Sequence, residues 1–245
     1  MAPADGDGSA PVHPAPRRSR GLALLREYLE AVLVAVVFAL FVKAFLFEAY
    51  QIPSGSMEQN LLVGDHVVVD KLTLAPRSLA WGPLLPRREI HRGDVVVFRG
   101  PEDPGRDFIK RAVASGGETV EIRAKRLFVD GVERDEPYVV HRDPVVLAGP
   151  VVPASLRGRD EMLPRTIPAG AFFALGDNRD ESRDSRAWGP VARRLVKGRA
   201  LFVYWSVRPP SEPFAGRGAA VRRILDGAIH FFSRTRWERT LQVVR

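Results

Sequence analysis

The sequence predicts a mainly β protein that carries one membrane-spanning helix near its N-terminus. Two patterns indicate this fold class. The first is a single long apolar stretch from Ala31 to Phe47, and the second is a series of short apolar runs after residue 60, each bounded by Gly, Asp or Pro. Of the 245 residues, 45% are hydrophobic and 27% are charged, which excludes a chain that is disordered throughout.

The apolar stretch has the length of a membrane anchor. Extended from Tyr28 to Tyr50 it contains 23 residues, which is about 34 Å of helix and enough to cross a bilayer core. Its single charge, Lys43, lies near one end, where a long side chain reaches the interface. We therefore assign residues 28–49 to a transmembrane anchor and residues 1–27, which lack a hydrophobic period, to a disordered basic tail.

Two alternatives to an uncleaved anchor exist. A buried helix of a soluble domain would need cover on every side, because this stretch is apolar all round. A cleaved signal peptide would need small residues at the −3 and −1 positions after its apolar core. The nearest candidate, Val42-Lys43-Ala44, is charged and runs on into further apolar residues, so an uncleaved anchor fits better.

The flanking charges predict the orientation of the anchor. Four arginines precede it, whereas no Lys or Arg occurs between Glu48 and Asp70. Because cytoplasmic flanks carry the excess of positive charge, we expect a single-pass protein with a cytoplasmic N-terminus. Residues 50–245 would then form an extracytoplasmic domain.

The short apolar runs predict the strands of that domain. The candidate strands are Val67–Val69, Val95–Phe98, Phe108–Val113, Val120–Ile122, Leu127–Val129, Phe172–Leu175 and Leu201–Trp205. Asp130-Gly131 is typical of a tight hairpin turn. Residues 72–91 and 140–168 are rich in Pro, Arg and Gly, and we expect them to form loop insertions.

Composition excludes several classes of chemistry. The chain has no cysteine, which rules out disulfides, thiolate metal sites and a cysteine nucleophile. Its five histidines are scattered without metal-ligand spacing, so we expect neither a metal nor a cofactor. The net charge of +8 comes from dispersed basic residues, which suit anionic lipid better than nucleic acid.

Three segments carry residues that could do chemistry. Gln51–Met57 places two serines around a glycine directly after the anchor, although such a segment on its own is typical of a turn. In the predicted strand Phe108–Val113, Lys110 and Arg111 point to opposite faces, so one of these cations must approach an apolar surface. A desolvated lysine becomes a base near neutral pH, whereas arginine stays protonated.

The third segment, Gly176–Gly189, alternates acids and arginines. A solvated loop and a loop braced by internal ion pairs both fit this pattern, and Ser182 and Ser185 could hold a neighbouring group by hydrogen bonds.

Together these segments resemble the bacterial type I signal peptidases, also called leader peptidases. The similarity covers the anchor and most of residues 48–206. Its most specific parts are the nucleophile motif Ile52–Met57, the general-base segment Phe108–Val113 and the loop Gly176–Gly189, which is similar to the family's GDNRDxSxDSRxWG pattern. The resemblance implies a domain of coiled antiparallel β-sheets and a Ser-Lys serine endopeptidase that removes signal peptides from secreted preproteins. It also implies that the anchor lies in the bacterial inner membrane, with the catalytic domain on the outer, periplasmic face.

The resemblance also implies the role of each site residue. Ser56 would be the nucleophile and Lys110 the general base, Ser54 would join the Ser56 N–H in the oxyanion hole, and Ser182 would orient the lysine amine. Four further residues would support the site without reacting: Asp177, Arg179, Asp184 and Arg186. A Ser-Lys pair is a known variant of the Ser-His-Asp arrangement, and its lysine must be neutral to act.

The chain departs from the family pattern at three places. Gln59-Asn60 stands where the family usually has Pro-Thr, Ser115–Glu118 stands where Leu-Pro-Gly-Asp is common, and Glu181 replaces a common Asn. None of these removes a reacting group, but the first is expected to loosen the turn that aims Ser56.

Other functions fit parts of the sequence. A self-cleaving repressor of the same Ser-Lys class would need a DNA-binding domain, where residues 1–47 offer an anchor. An inactive, membrane-tethered module that binds signal peptides would not need to keep Ser56, Lys110 and Ser182.

The resemblance implies secretory preproteins with small residues at −3 and −1 as partners, and we expect a monomer that binds no nucleic acid. Anionic membrane lipids are a further expected partner. Trp81, Leu84 and Leu85 would insert into the membrane interface, where Arg77, Arg87 and Arg88 would contact lipid headgroups. Packing of Trp81 against the body of the domain is an equally weighted alternative.

The C-terminal stretch Val221–Arg245 is predicted to pack on the sheet, with a membrane-surface segment as its alternative.

Overall fold

A computed structural model of the chain describes residues 18–74, 88–149, 152–153, 158–210, 221–222, 226–227 and 229–245. The chain divides into two units, with the boundary between Lys43 and Ala44. Trp81, Leu84, Leu85, Arg77 and Arg87, which the sequence places at the membrane interface, lie outside the described residues.

The first unit consists of the apolar helix. Helix α1 spans Arg18–Phe41, and a π-helical turn, Val42–Leu46, continues it. Residues Ala23–Leu46 have a mean hydropathy of 2.5, and none of this stretch is buried in the described protein. It is therefore long and apolar enough to cross a bilayer, and the alternative of a core helix finds no support.

The helix does not share the bounds of the predicted anchor, 28–49. The described helix starts at Arg18, within the predicted tail, and Phe47–Gln51 forms strand β1. This strand pairs with β2 (Asp65–Asp70), with Tyr50 opposite Val67. The exposure of β1 alternates along the strand and its backbone is paired in a sheet, so residues 47–51 are extended and the helix ends before them. Which of the helix and strand residues lie in a bilayer stays a prediction.

The second unit is built from two antiparallel sheets, which confirms the mainly β prediction. The larger sheet has the order β1-β2-β11-β3-β4-β9-β10, with β12 added to β11, and the smaller has the order β7-β6-β5-β8. The remaining strands are β3 Val95–Arg99, β4 Asp107–Ser115, β5 Thr119–Arg123, β6 Arg126–Val129, β7 Val132–Glu133, β8 Met162–Thr166, β9 Ala171–Leu175, β10 Val191–Ala192, β11 Val196–Ser206 and β12 Gln242–Val243.

Short helices complete this unit. They are the 3-10 turns Gly55–Met57, Arg193–Leu195 and Trp237–Arg239 and the α-helical turns α2 Ser185–Trp188 and α3 Phe231–Arg234.

Irregularities in the long strands curl the larger sheet. The pairing of β11 with β2 shifts register between Ala200 and Phe202 and again between Val203 and Trp205. The pairing of β4 with β9 shifts between Ala112 and Ala114. Such bulges bend a strand and increase its twist, and they account for the coiled sheets expected from the family resemblance.

All seven predicted strands lie within observed ones, in β2, β3, β4, β5, β6, β9 and β11. The predicted hairpin is also present, since Asp130 and Gly131 join β6 to β7 with φ of 53° and 77°. The predicted loop 140–168 is partly wrong, because it contains β8. This edge strand holds Pro164 and is mostly exposed, so it shows no apolar alternation.

A buried apolar cluster lies beneath the segment that follows the anchor. It joins Ile52, Met57 and Leu61, each at most 2% exposed, to Val95 of β3 and Val244 near the C-terminus. This cluster fixes residues 52–61 against the larger sheet.

Candidate active site

The serine segment forms a short 3-10 helix, Gly55–Met57, that follows β1. Ser54 is its N-cap residue, with an extended backbone and no capping hydrogen bond from its side chain. Met57 is fully buried and Ser56 is 8% exposed, so the apolar residue anchors the turn and leaves the adjacent hydroxyl at its surface. The Ser56 N–H lies in the first turn, where helix N–H groups have no carbonyl partner within the helix.

Strand β4 supplies the predicted base. It lies between β3 and β9 in the larger sheet, with Lys110 opposite Val96 and Arg111 opposite Val95 and Leu175. Because this strand is covered on both faces, Lys110 is 3% exposed and Arg111 is 1% exposed. The sequence predicted that one of the two cations is buried, and the structure buries both.

Lys110 and Ser56 meet at the surface of the turn. Lys110 Nζ donates a hydrogen bond to Ser56 Oγ, although the residues are 54 positions apart. Burial lowers the pKa of the Lys110 amine from 10.5 to about 8. The carboxylates of Asp184 and Asp177 oppose this shift and the Arg186 guanidinium supports it, so desolvation outweighs the attraction of the two acids.

Arg111 is held by the first acid of the loop Gly176–Gly189. Its Nε and Nη2 donate to the two carboxylate oxygens of Asp177 at 2.8 and 2.7 Å, and both side chains are at most 1% exposed. Arg111 also donates to the carbonyl oxygens of Gly93 and Arg245, at 2.8 and 2.7 Å. These bonds explain how a guanidinium is tolerated in the core.

The fourth acid of the loop, Asp184, is fully buried and holds the loop together by accepting hydrogen bonds from loop residues. It accepts hydrogen bonds from the Gly176 N–H at 3.1 Å and from Arg186 Nε and Nη2 at 2.9 and 2.8 Å. Arg186 Nη2 also donates to the Arg179 carbonyl oxygen at 2.6 Å. The loop is therefore braced by an internal ion pair, Arg186–Asp184, and by pairs with residues outside it, so a solvated loop is excluded.

Arg179 has a different set of partners in the same loop. It is 3% exposed and donates to the Gly176 carbonyl oxygen and to Glu136, at 3.1 and 2.7 Å. Ser185, also fully buried, accepts a hydrogen bond from the Ala174 N–H at 3.0 Å, as expected for a residue that holds a neighbour.

The loop touches the nucleophile turn through Asn178, which the sequence did not single out. Its N–H donates to the Ser56 carbonyl oxygen at 3.2 Å and its Nδ2 to the Gly55 carbonyl oxygen at 3.3 Å. Asn60 makes a second contact, from its Nδ2 to Asp177 Oδ2 at 2.8 Å. The turn that was expected to be loosened by Gln59-Asn60 is thus tied to the loop by Asn60.

Ser182 lies at the site without the expected bond to the lysine. Its Oγ is buried, and in the described structure it makes no hydrogen bond to Lys110. A Cβ on Gly176 would collide with this Oγ and would lie 2.5 Å from the Ser56 carbonyl oxygen. Ser182 is therefore close to the turn of the nucleophile, and its role toward Lys110 stays a prediction.

Ser54 is exposed, as a group that meets a substrate must be. In the described part of the chain, no group of three or more His, Asp or Glu side chains is placed to hold a metal ion. The arrangement offers a hydroxyl and an adjacent desolvated amine, the pair that acyl transfer by a serine nucleophile requires.

Comparison with known proteins gives the family. The family model described as "Signal peptidase, peptidase S26" matches residues 25–205. The chain is 36% identical to the signal peptidase I of Pseudomonas aeruginosa over 213 residues, which cover 76% of this chain and 75% of the relative. It is 31% identical to the signal peptidase I of Aquifex aeolicus over 249 residues, with coverage of 82% and 93%. The chain therefore belongs to the signal peptidase family of the S26 peptidases.

Proposed function

We propose that this chain is a membrane-anchored serine endopeptidase that removes N-terminal signal peptides from secreted preproteins, with Ser56 as nucleophile and Lys110 as general base. The observation that carries the proposal is the hydrogen bond between the buried Lys110 amine and Ser56 Oγ. A serine hydroxyl is a weak nucleophile that needs an adjacent base, and an amine with a pKa of about 8 is neutral in a useful fraction of molecules near pH 7 to 8.

Acylation begins with the neutral amine. Ser56 Oγ attacks the carbonyl carbon of the scissile peptide bond while Lys110 Nζ takes the hydroxyl proton. The negative charge that develops on the carbonyl oxygen is stabilised by the Ser56 N–H and the Ser54 hydroxyl. Oxyanion-hole donors of this kind are worth about 2.7–4 kcal/mol each in the barrier.

Collapse of the tetrahedral intermediate breaks the C–N bond. Lys110 gives its proton to the leaving amine, which becomes the N-terminus of the mature protein, and the signal peptide stays on Ser56 as an ester. A water molecule then attacks the ester carbonyl and gives its proton to Lys110. When the ester bond breaks, that proton passes to Ser56 Oγ, and both residues return to their starting state.

The remaining site residues keep the two reacting groups in place. Asp177, Arg179, Asp184 and Arg186 support the site through the ion pairs of the loop, and Ser182 orients the lysine amine once the hydroxyl turns toward it. Small residues at −3 and −1 of the signal peptide are the substrate preference that family membership implies.

The membrane anchor places this chemistry at a bilayer. Four arginines precede the apolar stretch that starts at Ala31, and residues 49–69 contain no Lys or Arg. This asymmetry supports a cytoplasmic N-terminus and a catalytic domain, residues 50–245, on the outer face of the inner membrane. Protease added outside spheroplasts would then attack the domain after residue 50 and spare the N-terminal tail. Contact with anionic lipids and a monomeric state complete the proposal.

The competing functions differ in what they require of the site. A signal-peptide-binding module without activity has no use for a desolvated amine against a hydroxyl. A self-cleaving repressor would act on its own chain from a cytosolic position, whereas the helix Arg18–Phe41 has the composition of an anchor.

The experiment is cleavage of a labelled preprotein by the purified full chain in detergent, with the cut mapped by mass spectrometry. We expect one cut after a small residue, and loss of turnover in Lys110→Ala without loss of fold. Lys110→Arg should not restore activity, because a guanidinium stays protonated. Substantial activity in the arginine variant would contradict the assignment of the base.

A further inference from the structure

The turn that follows the nucleophile holds a residue with no assigned role. Asn60 lies four positions after Ser56, between the buried residues Met57 and Leu61, whose backbones are joined by a 2.9 Å hydrogen bond from the Leu61 N–H to the Met57 carbonyl. Its neighbour Gln59 is exposed. The side chain of Asn60 is therefore the one in this pair that faces the protein.

Both ends of Asn60 are held by charged groups. Its Nδ2 donates to Asp177 Oδ2 at 2.8 Å, and this oxygen also accepts from Arg111 Nη2 at 2.7 Å. The backbone carbonyl oxygen of Asn60 accepts from Arg239 Nη2 at 2.7 Å, and Arg239 is in turn paired with the fully buried Asp65 at 2.7 Å. Such charge-assisted hydrogen bonds are short and directional, so the position of the turn is well defined.

These contacts close a ring around the reacting atoms. The backbone connects Ser56 to Asn60, and the Asn60 side-chain amide binds Asp177. Asp177 pairs with Arg111, which is the neighbour of Lys110 on β4. The Lys110–Ser56 hydrogen bond completes the ring. The Asn178 contact with the Ser56 carbonyl oxygen joins the loop to the turn separately, so the amide of Asn60 is the contact between the turn and the ion pair.

We propose that Asn60 is a positioning residue for the Ser56–Lys110 pair, which it serves by tying the nucleophile turn to the Arg111–Asp177 ion pair. The inference rests on the proposed peptidase function. It gives a role to Asn60, which lies where the chain departs from the family pattern. The contact of its side-chain amide with Asp177 would keep the Ser56 hydroxyl against the Lys110 amine.

The contact also acts on the charge around the amine. Asp177, Asp184 and Arg186 are the charged groups that act on Lys110, and Arg111 is adjacent to it on the strand. The amide of Asn60 points its N–H at Asp177 and so offsets part of the negative potential of that carboxylate. Removal of the amide should leave more of this potential at Lys110 and stabilise the charged amine.

The test compares the full chain in detergent with Asn60→Leu, Asn60→Thr and the matched control Gln59→Leu, which makes the same replacement on the exposed neighbour. The kcat and KM for a preprotein are measured as a function of pH. The Lys110 titration is followed by NMR of lysines labelled at Cε, with the signal identified by its loss in Lys110→Ala. The chain has only five lysines, so the signals are few.

We expect Asn60→Leu to lower kcat about tenfold or more with little change in KM, the loss typical of a hydrogen bond to a charged group. The midpoints of the kcat profile and of the Lys110 titration should both move to higher pH. Asn60→Thr, which keeps a donor, should recover part of both effects, and Gln59→Leu should match the unmodified chain.

An Asn60→Leu protein with unchanged kcat and unchanged Lys110 midpoint would overturn the inference, as would equal losses in the Leu and Thr variants. If Asn60→Leu does not fold, Asn60→Ala is read by the same two criteria. Failure of the unmodified chain to cleave any preprotein would refute the proposed function instead, and the NMR titration would still decide the effect of Asn60 on Lys110.

Discussion

Arg111 and Asp177 form a bidentate ion pair in which neither side chain is more than 1% exposed. The two bonds, 2.8 and 2.7 Å long, connect strand β4 to the loop Gly176–Gly189 directly behind the reacting residues. A buried pair of this kind adds little net stability over an apolar contact, but removal of one partner leaves an uncompensated charge. The position of the loop relative to β4, and with it the geometry of the site, therefore depends on both partners of this ion pair.

Replacement of Asp177 by Leu should be strongly destabilising for this reason. We expect the free energy of unfolding to fall by about 3–5 kcal/mol, because the Arg111 guanidinium stays buried without its carboxylate. The measurement is denaturant unfolding of the full chain in detergent. Glu133→Leu is the matched control, since its pair with Arg126 is exposed and should be worth less than about 1 kcal/mol. Equal effects of the two replacements would contradict this interpretation of the buried pair.

The pH dependence of turnover follows from the lowered pKa of Lys110. The free base is the active form, so kcat/KM should rise with pH through about 8 and then level off. The folded pKa lies below the ordinary value of 10.5, so unfolding takes up a proton between these values. The contribution of this group to stability should therefore increase as the pH rises from about 8 to 10.5. A flat kcat/KM profile from pH 6 to 9 would show that another group is the base.

Ser54 offers a test of the oxyanion hole that is separate from stability. Its side chain is exposed and makes no capping hydrogen bond, so Ser54→Ala should leave the melting temperature unchanged. Loss of one oxyanion donor should lower kcat by about 10²–10³. Steady-state kinetics on a short peptide substrate measures this effect. A kcat within about twofold of the unmodified value would remove Ser54 from the oxyanion hole.

Gly176 should tolerate no side chain, for reasons of space. An added Cβ would collide with Ser182 Oγ and lie 2.5 Å from the Ser56 carbonyl oxygen, so Gly176→Ala must displace the loop or the nucleophile turn. We expect turnover to fall by at least about tenfold. Gly227→Ala is the control, because no atom of the residues that the structure describes lies within 4 Å of its added Cβ. Normal turnover in Gly176→Ala would mean that Ser182 and Ser56 are farther apart than described.

Local patterns predicted those parts of the fold that depend on local forces. The apolar runs gave all seven strands, and Asp130-Gly131 gave its hairpin, because hydrophobic alternation and positive φ are properties of neighbouring residues. The helix ends before residue 49, although Phe47 and Tyr50 are apolar enough for a membrane helix, because their pairing with β2 depends on residues far along the chain. The exposed edge strand β8 was missed because it has no buried face.

In the site, too, local patterns predicted some features, whereas others depend on residues far apart in the sequence. The alternation in β4 indicated that a cation is buried, but the burial of both Lys110 and Arg111 follows from the central place of β4 in the sheet. The motif resemblance named Ser56 and Lys110 as partners, and the structure places them in contact. No pattern near Asn60 indicated its bond to Asp177, which is 117 positions away.

The most direct test of the central claim is single-turnover cleavage of a labelled preprotein by the Ser56→Ala variant of the full chain, compared with the unmodified chain at pH 8 to 9. If Ser56 is the nucleophile and Lys110 its base, the unmodified chain releases the signal peptide at one site, and the variant loses at least about 10³ in rate while keeping the same thermal unfolding. A variant that cleaves the same bond within about tenfold of the unmodified rate would contradict the account.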